Sequence, residues 1–544
     1  MSDIKKNYKI MNKCNGLDAE EIIEKILDSR GIKDVQHFLN PEESDLIPLK
    51  QLIGIDKGRE IIEKGIDEGK KFGIFYDVDL DGISAGTIGY RYLKNYTNNV
   101  ECYINQGKAH GLLGQDLSRF KELDILIVVD SLDGDITSYK DIAESGVQII
   151  ALDHHLISDK IPYDDYITLI SSQRNYDNKE LSGSGVVWKF CKYLDEYFME
   201  DFADEYLDLA ACGIVGDMCD VSEDSMENRY IISKGLSKIC NPAIKKIVGS
   251  FPFNSTAISF SLAPLVNAAN RVSKNEYAMN AFLADDNKEV LACVKQLKLC
   301  KEEQNDEVTS LMPDIIEQSI SQIDEKLICV FINPKASISG LIGNKLLEKY
   351  QRPILVLNRK EIDGKNYCAG SARAIGVENF NEMCNETLLC KAEGHENAHG
   401  AKVLENDFEE FTKRIKDSLK DIVFEVNTLI DVELNFEDIN RDLIDKIMEI
   451  DRISGKGFRR ITARVPNITE YEIGNMSKGK HLTIKPTDYF MFIKWNWSGD
   501  FDDMEENSLL EEPISFVGNL ESGWLGRKFT LKMICNEINV GENE

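Results

Sequence analysis

An α/β chain built around a mostly parallel sheet, followed by a β-rich C-terminal segment, is what this sequence predicts. Apolar runs of strand length, "FGIFYDV", "ILIVVDS" and "VQIIALDHH", alternate with helix-capable segments, as parallel strands joined by crossovers do. Each run ends in acidic residues or histidines, at the strand ends outside which ligands bind in such sheets. From about residue 431 the pattern changes to short strands, "RRITARVPNI", "KHLTIKP", "YFMFIKWNW", "PISFVGNL" and "RKFTLKMICNEI", at the spacing of a small barrel.

With 544 residues the chain is too long for one core, and roughly two to four domains are expected. No segment has the uninterrupted apolar length of a membrane span, and "MSDIKKNYKIMNKCNG" does not read as a secretory signal. No membrane association and a cytoplasmic address are therefore expected. Thirteen cysteines, an odd number without any C-x-x-C pair, fit free thiols in a reducing compartment rather than a disulfide scaffold or zinc site. The net charge of -30, taken alone, argues against a nucleic-acid partner, because such proteins neutralise phosphates with Lys and Arg. Global charge constrains a local groove only weakly, and bound divalent metals would offset the repulsion within a carboxylate cluster.

Along the chain, residues 17 to 71 read as short helices and turns. After "FGIFY", Asp77, Asp79, Asp81 and Gly82 stand at the spacing that opens an EF-hand calcium loop. That loop needs a glutamate at position twelve, where this chain has Ile88; position nine is Ala85, and a strand rather than a helix leads in. The calcium reading fails. What remains is a strand end with alternating carboxylates, then a glycine turn and a helix. The second run places Asp130 after five consecutive apolar residues, the third ends in Asp153, His154 and His155, and a helical apolar segment delivers Asp217. A lone aspartate at a strand end is commonly a turn or cap residue. Acidic residues at three successive strand ends, together with the triple carboxylate, point instead to convergence on one crevice. Oxygen ligands with one or two imidazoles suit Mn²⁺ or Mg²⁺ better than Zn²⁺.

With "DVDLDG", "VVDS", "LDHH" and "GIVGD" in this order, the chain resembles the DHH phosphoesterase superfamily and, within it, the RecJ single-strand exonucleases. "ILDSRGIKDVQHFLNPEESDL", "ELSGSGVVWKF" and "APLVNAANRV" resemble further RecJ segments. The resemblance implies a helical lead-in (1–70), a DHH catalytic domain with a parallel sheet (71–286) and a linking helix (287–322). A smaller α/β DHH-associated domain (323–430) and an OB-like β-barrel (431–544) would follow. In the DHH-associated domain, "CAGSARAIGVENF" and "AEGHENAHGAKV" resemble substrate-binding motifs, which makes Ser371, Arg373 and His395 phosphate or nucleotide contacts. Asn267 and Arg271 are carried over in the same way from "APLVNAANRV". The chain departs from the pattern in lacking a Trp-His pair before that domain's first helix, in carrying Glu393 and Asn270 for glycines, and in His110 where tyrosine is usual. These changes spare the expected metal ligands and bear on substrate preference and processivity.

Near the C-terminus, "DRISGKGFRRITAR" clusters Arg452, Lys456, Arg459, Arg460 and Arg464 around Phe458. This basic patch is expected to follow a strand's backbone, Arg459 and Arg460 serving as contacts and Phe458 or Trp524 as a stacking platform. "SGDFDDMEENSLLEE" reads as an acidic surface loop.

Phosphodiester hydrolysis needs a nucleophile, charge stabilisation on the non-bridging oxygens and help for the leaving oxygen, all of which two metal ions about 4 Å apart supply. Two Mn²⁺ or Mg²⁺ ions are expected on Asp79, Asp81, Asp130, His154 and Asp217, with Asp130 as the bridge. Asp77 and Asp153 would ligate or orient neighbours, and His155 would face the scissile phosphate. Asp130, Asp153 and His155 are thus the catalytic candidates. By resemblance, the substrate is single-stranded DNA degraded from its 5′ end to mononucleotides by a monomer, beside a single-strand-binding protein or a replication or repair complex. One rival reading is a short-oligonucleotide or cyclic-dinucleotide phosphodiesterase, which would generally lack the lead-in and the barrel. Another is a non-catalytic replication-complex subunit, which would have lost the carboxylates retained here.

Overall fold

The structure is a computed structural model describing residues 5–106, 111–158, 160–334, 337–477, 479–497, 513–526 and 528–540. His110 and the acidic stretch 498–512 lie outside the described residues. The chain folds as two units. One contains Ile10–Asn267, Asn275–Gln296 and the chain from Leu429 onward; the other contains Ala268–Lys274, Leu297–Thr428 and the N-terminal residues to Lys9.

The first unit is organised by a five-stranded parallel sheet in the order Val100–Ile104, Phe72–Tyr76, Ile125–Val129, Gln148–Asp153, Thr168–Ser171. Phe72–Tyr76 and Ile125–Val129 are buried at every position, as central parallel strands covered on both faces must be. Helices Leu80–Lys94, Gly183–Phe198 and Leu207–Gly216 pack against one another, while Tyr139 and Ile142 of helix Ile136–Glu144 join a core with Phe75, Leu126 and Val128. In chain order the strands run two, one, three, four, five. The order reverses beside the first strand, and such a switch point opens a crevice at the strands' carboxyl ends.

The five C-terminal runs all form strands, in an eight-stranded mixed sheet that runs from Glu472–Met476 at one edge to Lys13–Cys14 at the other. These edges are not paired with each other, and among the described residues no closed barrel is found. The lead-in is also not purely helical, since Lys5–Ile10 and Lys13–Cys14 are strands. A two-residue strand is too short to carry a period, so nothing in the local pattern announces it.

The second unit holds a five-stranded sheet in the order Cys390–His395, Ala398–Leu404, Lys365–Arg373, Ile354–Ile362, Ile328–Phe331. One face packs Leu355 and Ala372 against Phe380, Phe411 and Ile415; the other packs Val330 and Val356 against Ile342 and Leu346 of helix Ser339–Tyr350. The expected linking helix is Asn287–Ile320, whose residues from Leu297 count with this unit. Among the described residues no helix is long and apolar enough to cross a membrane.

Candidate active site

Strand register sets the site. Tyr76 pairs with Val129 and Val129 with Leu152, so Asp77, Asp130 and Asp153 stand at one level of three neighbouring strands. Asp130 has φ 50°, in the left-handed region that aspartate tolerates better than most residues. Helix Gly183–Phe198 comes so close that a Cβ on Gly183 would stand 2.6 Å from Asp130 Cβ.

That helix also anchors Asp81. Ser182 Oγ donates to Asp81 Oδ1 at 2.9 Å, and the backbone N–H groups of Gly183 and Ser184 donate to its two oxygens at 2.7 and 3.0 Å. Unsatisfied N–H groups and the positive end of the helix dipole thus hold a buried carboxylate, a term of roughly 0.3–1 kcal/mol, rising to about 2 when partly buried. Helix Leu207–Gly216 approaches from the other side, where a Cβ on Gly213 would stand 1.9 Å from Asp81 Oδ1. The end of this helix presents Asp217. Asp79 caps helix Leu80–Lys94, its Oδ1 accepting from Gly82 N–H at 2.9 Å, and Asn105 donates to Asp77 at 3.3 Å.

His154 is central. Its Nε2 lies 3.1 Å from Asp130 Oδ1, 3.7 Å from Asp217 Oδ2 and 3.9 Å from Asp81 Oδ2. Asp130, His154 and His155 form one set of ligand atoms within 4.8 Å of one another, and Asp81, His154 and Asp217 form a second. Asp153 is different. Its Oδ1 accepts from the backbone N–H and Nδ1 of His155 at 2.7 and 2.9 Å, and its Oδ2 accepts from Leu132 N–H at 2.8 Å. The carboxylate is occupied within the chain and orients His155.

Two like charges about 4 Å apart repel by about 4 kcal/mol at an effective dielectric near 20. Burial and the charges of Asp77 and Asp81 accordingly push the Asp79 carboxyl up to about 7. Burial, then Asp81, Asp79 and the other carboxylates raise Asp130 well above its ordinary value. Asp217 is raised by burial and by Asp81, against the opposing charges of the two histidines. Burial would raise Asp153, but His155 outweighs it and holds Asp153 at about 2; burial would lower His155, but Asp153 holds it at about 9. Asp130 is 2% exposed, and its Oδ1 accepts no hydrogen bond among the described residues. A crowded set of hard oxygen and imidazole donors with an unsatisfied buried oxygen fits a divalent cation.

The sequence reading singles out "ELSGSGVVWKF" without seeing that Ser182–Ser184 would bind Asp81; the signal available was the helix N-cap pattern of Ser182. It passes over Asn105, which ends the second parallel strand just as Asp77 and Asp130 end theirs.

In the second unit, Ser371 and Arg373 share the face of strand Lys365–Arg373 that meets helix Ser339–Tyr350. Ser371 Oγ lies 2.9 Å from Ser339 Oγ, and Arg373 Nε donates to Asn344 at 2.7 Å. A Cβ on Gly340 would stand 2.8 Å from an Arg373 Nη. Arg271 donates to the buried Gln304 at 3.0 Å. His395 is exposed at a strand end. His399, which the sequence reading passes over, pairs with Ala372 and so faces the opposite, apolar side, with Phe380 at 5.6 Å. Asn267 falls in the first unit, on helix Ala263–Arg271.

The C-terminal basic stretch is resolved differently from expectation. Phe458 is 3% exposed and packs on Phe38 beneath Arg30, so it is core rather than a stacking platform. Arg459 pairs with Asp431 at 2.8 Å, Arg460 with Glu521 at 2.9 Å, Arg464 with Glu433 and Lys456 with Glu180 at 2.7 Å. Carboxylates from distant segments neutralise the patch. Trp524, at 70% exposed, does stand in solvent.

Known proteins share these domains and this fold. Residues 71–214 match the model of the DHH family, N-terminal domain, and residues 324–421 match the DHHA1 domain. Two stretches of the chain thus match DHH-type domains. The chain is 27% identical over 457 residues to the putative SPbeta prophage-derived single-strand DNA-specific exonuclease YorK of Bacillus subtilis, covering 77% of this chain and 78% of YorK. It is 25% identical over 477 residues to the single-stranded-DNA-specific exonuclease RecJ of the same species, covering 82% of this chain and 59% of that protein. Its fold matches that of Thermus thermophilus RecJ in complex with Mn²⁺, with a TM-score of 0.76 at 19% identity over 99% of this chain and 80% of RecJ. The chain is RecJ-like.

Proposed function

We propose that this protein is a metal-dependent hydrolase that degrades single-stranded DNA from its 5′ end to mononucleotides. The observation that carries this reading is the crevice in which Asp81, Asp130, His154 and Asp217 converge around an unsatisfied Asp130 oxygen, in a chain similar to single-strand-specific exonucleases. The cofactor is Mn²⁺ or Mg²⁺. Two overlapping ligand sets that share His154 support two ions, with Asp130 in one set and Asp81 and Asp217 in the other. Asp79 and Asp77 border these sets and add negative charge. Bound there, divalent cations would activate water and offset charge on the phosphate and leaving oxygen.

The chain's own contribution is position and charge. The helix N-terminus fixes Asp81, so this ligand needs little reorganisation when substrate arrives. Asp153 holds the His155 ring by Nδ1, which would leave its other edge for the scissile phosphate. Arg271, Ser371, Arg373, His395 and Asn267 would hold the strand. Arg459 and Arg460 already serve carboxylates, which leaves exposed Trp524 as the stacking surface of an OB-like C-terminal unit. We place the protein in the cytoplasm, which its thirteen free cysteines support, as a monomer working beside a single-strand-binding protein or repair complex.

Substrate length tests the reading. With Mn²⁺, a long single strand should be degraded while the matching duplex is spared. Turnover confined to di- or trinucleotides would make this a small-substrate phosphodiesterase instead.

A further inference from the structure

The crevice of the first unit continues past His155. Asp153 pairs with Ser171 of the neighbouring strand and its carbonyl accepts from Ser172 N–H at 3.4 Å, so residues 173–175 leave the sheet beside residues 154–156. There the chain forms an open cleft of about 460 Å³, lined by the aliphatic Ile53, Leu156 and Ile157 and by Gln173, Arg174 and Asn175. The turn that carries Ile53 lies against the same edge strand: Gly54 has φ 91°, and a Cβ on it would stand 2.9 Å from Leu169 O. Leu156 is 92% exposed and Ile53 47%. A single exposed leucine needs no explanation, but one that directly follows His155 and shares a cleft with two isoleucines does.

The polar lining residues are not arranged for an anion. Arg174 gives its guanidinium to Asp164 at 2.9 Å and to Leu169 O at 3.3 Å. Gln173 donates to Lys179 O at 2.9 Å, and the Asn175 side chain makes no hydrogen bond among the described residues. A phosphate would meet a neutralised cation here. A flat, uncharged heterocycle would find aliphatic side chains for its faces and side-chain amides for its polar edge, the usual make-up of a small-molecule pocket. In single-stranded DNA the nucleobase is that heterocycle. We propose that this cleft seats the base of the 5′-terminal nucleotide while His155 faces the phosphate being cut, with Leu156 and Ile53 as its apolar contacts. The inference rests on the exonuclease reading and adds to it a base-binding subsite in the first unit.

Removing the base without removing the backbone tests it. Full-length protein with Mn²⁺ is given two single strands that differ only at the 5′-terminal nucleotide, which carries its base in one and is abasic in the other, and kcat/KM is measured for release of that nucleotide. The wild type should prefer the intact strand by roughly tenfold, within the range that contact with one base contributes. In Leu156→Ser and in Ile53→Ser this ratio should fall toward one, whereas Leu156→Met, which keeps an apolar wall, should retain it. A variant that merely disturbs His155 would slow both strands alike and keep the ratio. A wild-type ratio near one, a penalty found only when the second nucleotide is abasic, or a ratio that survives in both serine variants would overturn the inference and leave the exonuclease reading standing. Failure of the wild type to cut either strand would overturn both.

Discussion

Asp431 and Asp130 are both buried carboxylates in the first unit, and the chain treats them in opposite ways. Asp431 receives Arg30 Nε and Nη2 at 2.9 Å, Arg459 Nη2 at 2.9 Å and the backbone N–H of Thr462 at 2.8 Å. Its bonding is complete within the polypeptide. Asp130 stands among other carboxylates with one oxygen bare of hydrogen bonds among the described residues. Buried polar groups are almost always satisfied, so an incomplete one among crowded carboxylates marks where something else binds. Burial and charge alone do not separate structure from site. Completeness of bonding separates these two.

Mutation should break the two in opposite directions. Asp431→Ala leaves two guanidinium groups without their shared partner and should cost about 3–5 kcal/mol of stability, read as a lowered denaturation midpoint. Asp130→Ala should instead lower exonuclease turnover about a thousandfold or more, the upper range for one preorganised electrostatic group. Its melting temperature in chelator should equal or exceed that of the wild type, because a repulsive charge has been removed. Saturating Mn²⁺, at a hundred times its Kd, should stabilise the wild type by about 2.7 kcal/mol and the Asp130→Ala protein by less.

The comparison sharpens at Asp153, which is as complete as Asp431 yet serves the site. Asp153→Asn should lower turnover by roughly ten- to a hundredfold, as loss of a ligand-orienting partner does, with the fold retained. Smaller still, Arg373→Ala should raise KM about tenfold with turnover near that of the wild type, since its guanidinium would hold substrate rather than reacting atoms.

The sequence discloses the candidate ligands because most follow an apolar run at a fixed place, the strand end or the end of helix Leu207–Gly216, while Asp79 and Asp81 open helix Leu80–Lys94 just beyond a strand. Asp77, Asp79, Asp81, Asp130, His154 and Asp217 are legible for that reason. Partners are not legible in this way. The Arg30–Asp431 bond joins residues 401 positions apart, and nothing near "GFRR" reveals that carboxylates from elsewhere will neutralise it. The same distance hides the role of Ser182–Ser184, about a hundred residues beyond Asp81. The open C-terminal sheet differs from the expected barrel because strand spacing specifies strands but not whether the two edges meet.

The most direct test is nucleotide release from single-stranded DNA labelled at either end, with Mn²⁺, with Mg²⁺ and with chelator, using Asp130→Ala as the blank. Early release of a 5′-labelled mononucleotide that requires both metal and Asp130 is the predicted result. Release that persists in chelator or in Asp130→Ala would contradict it.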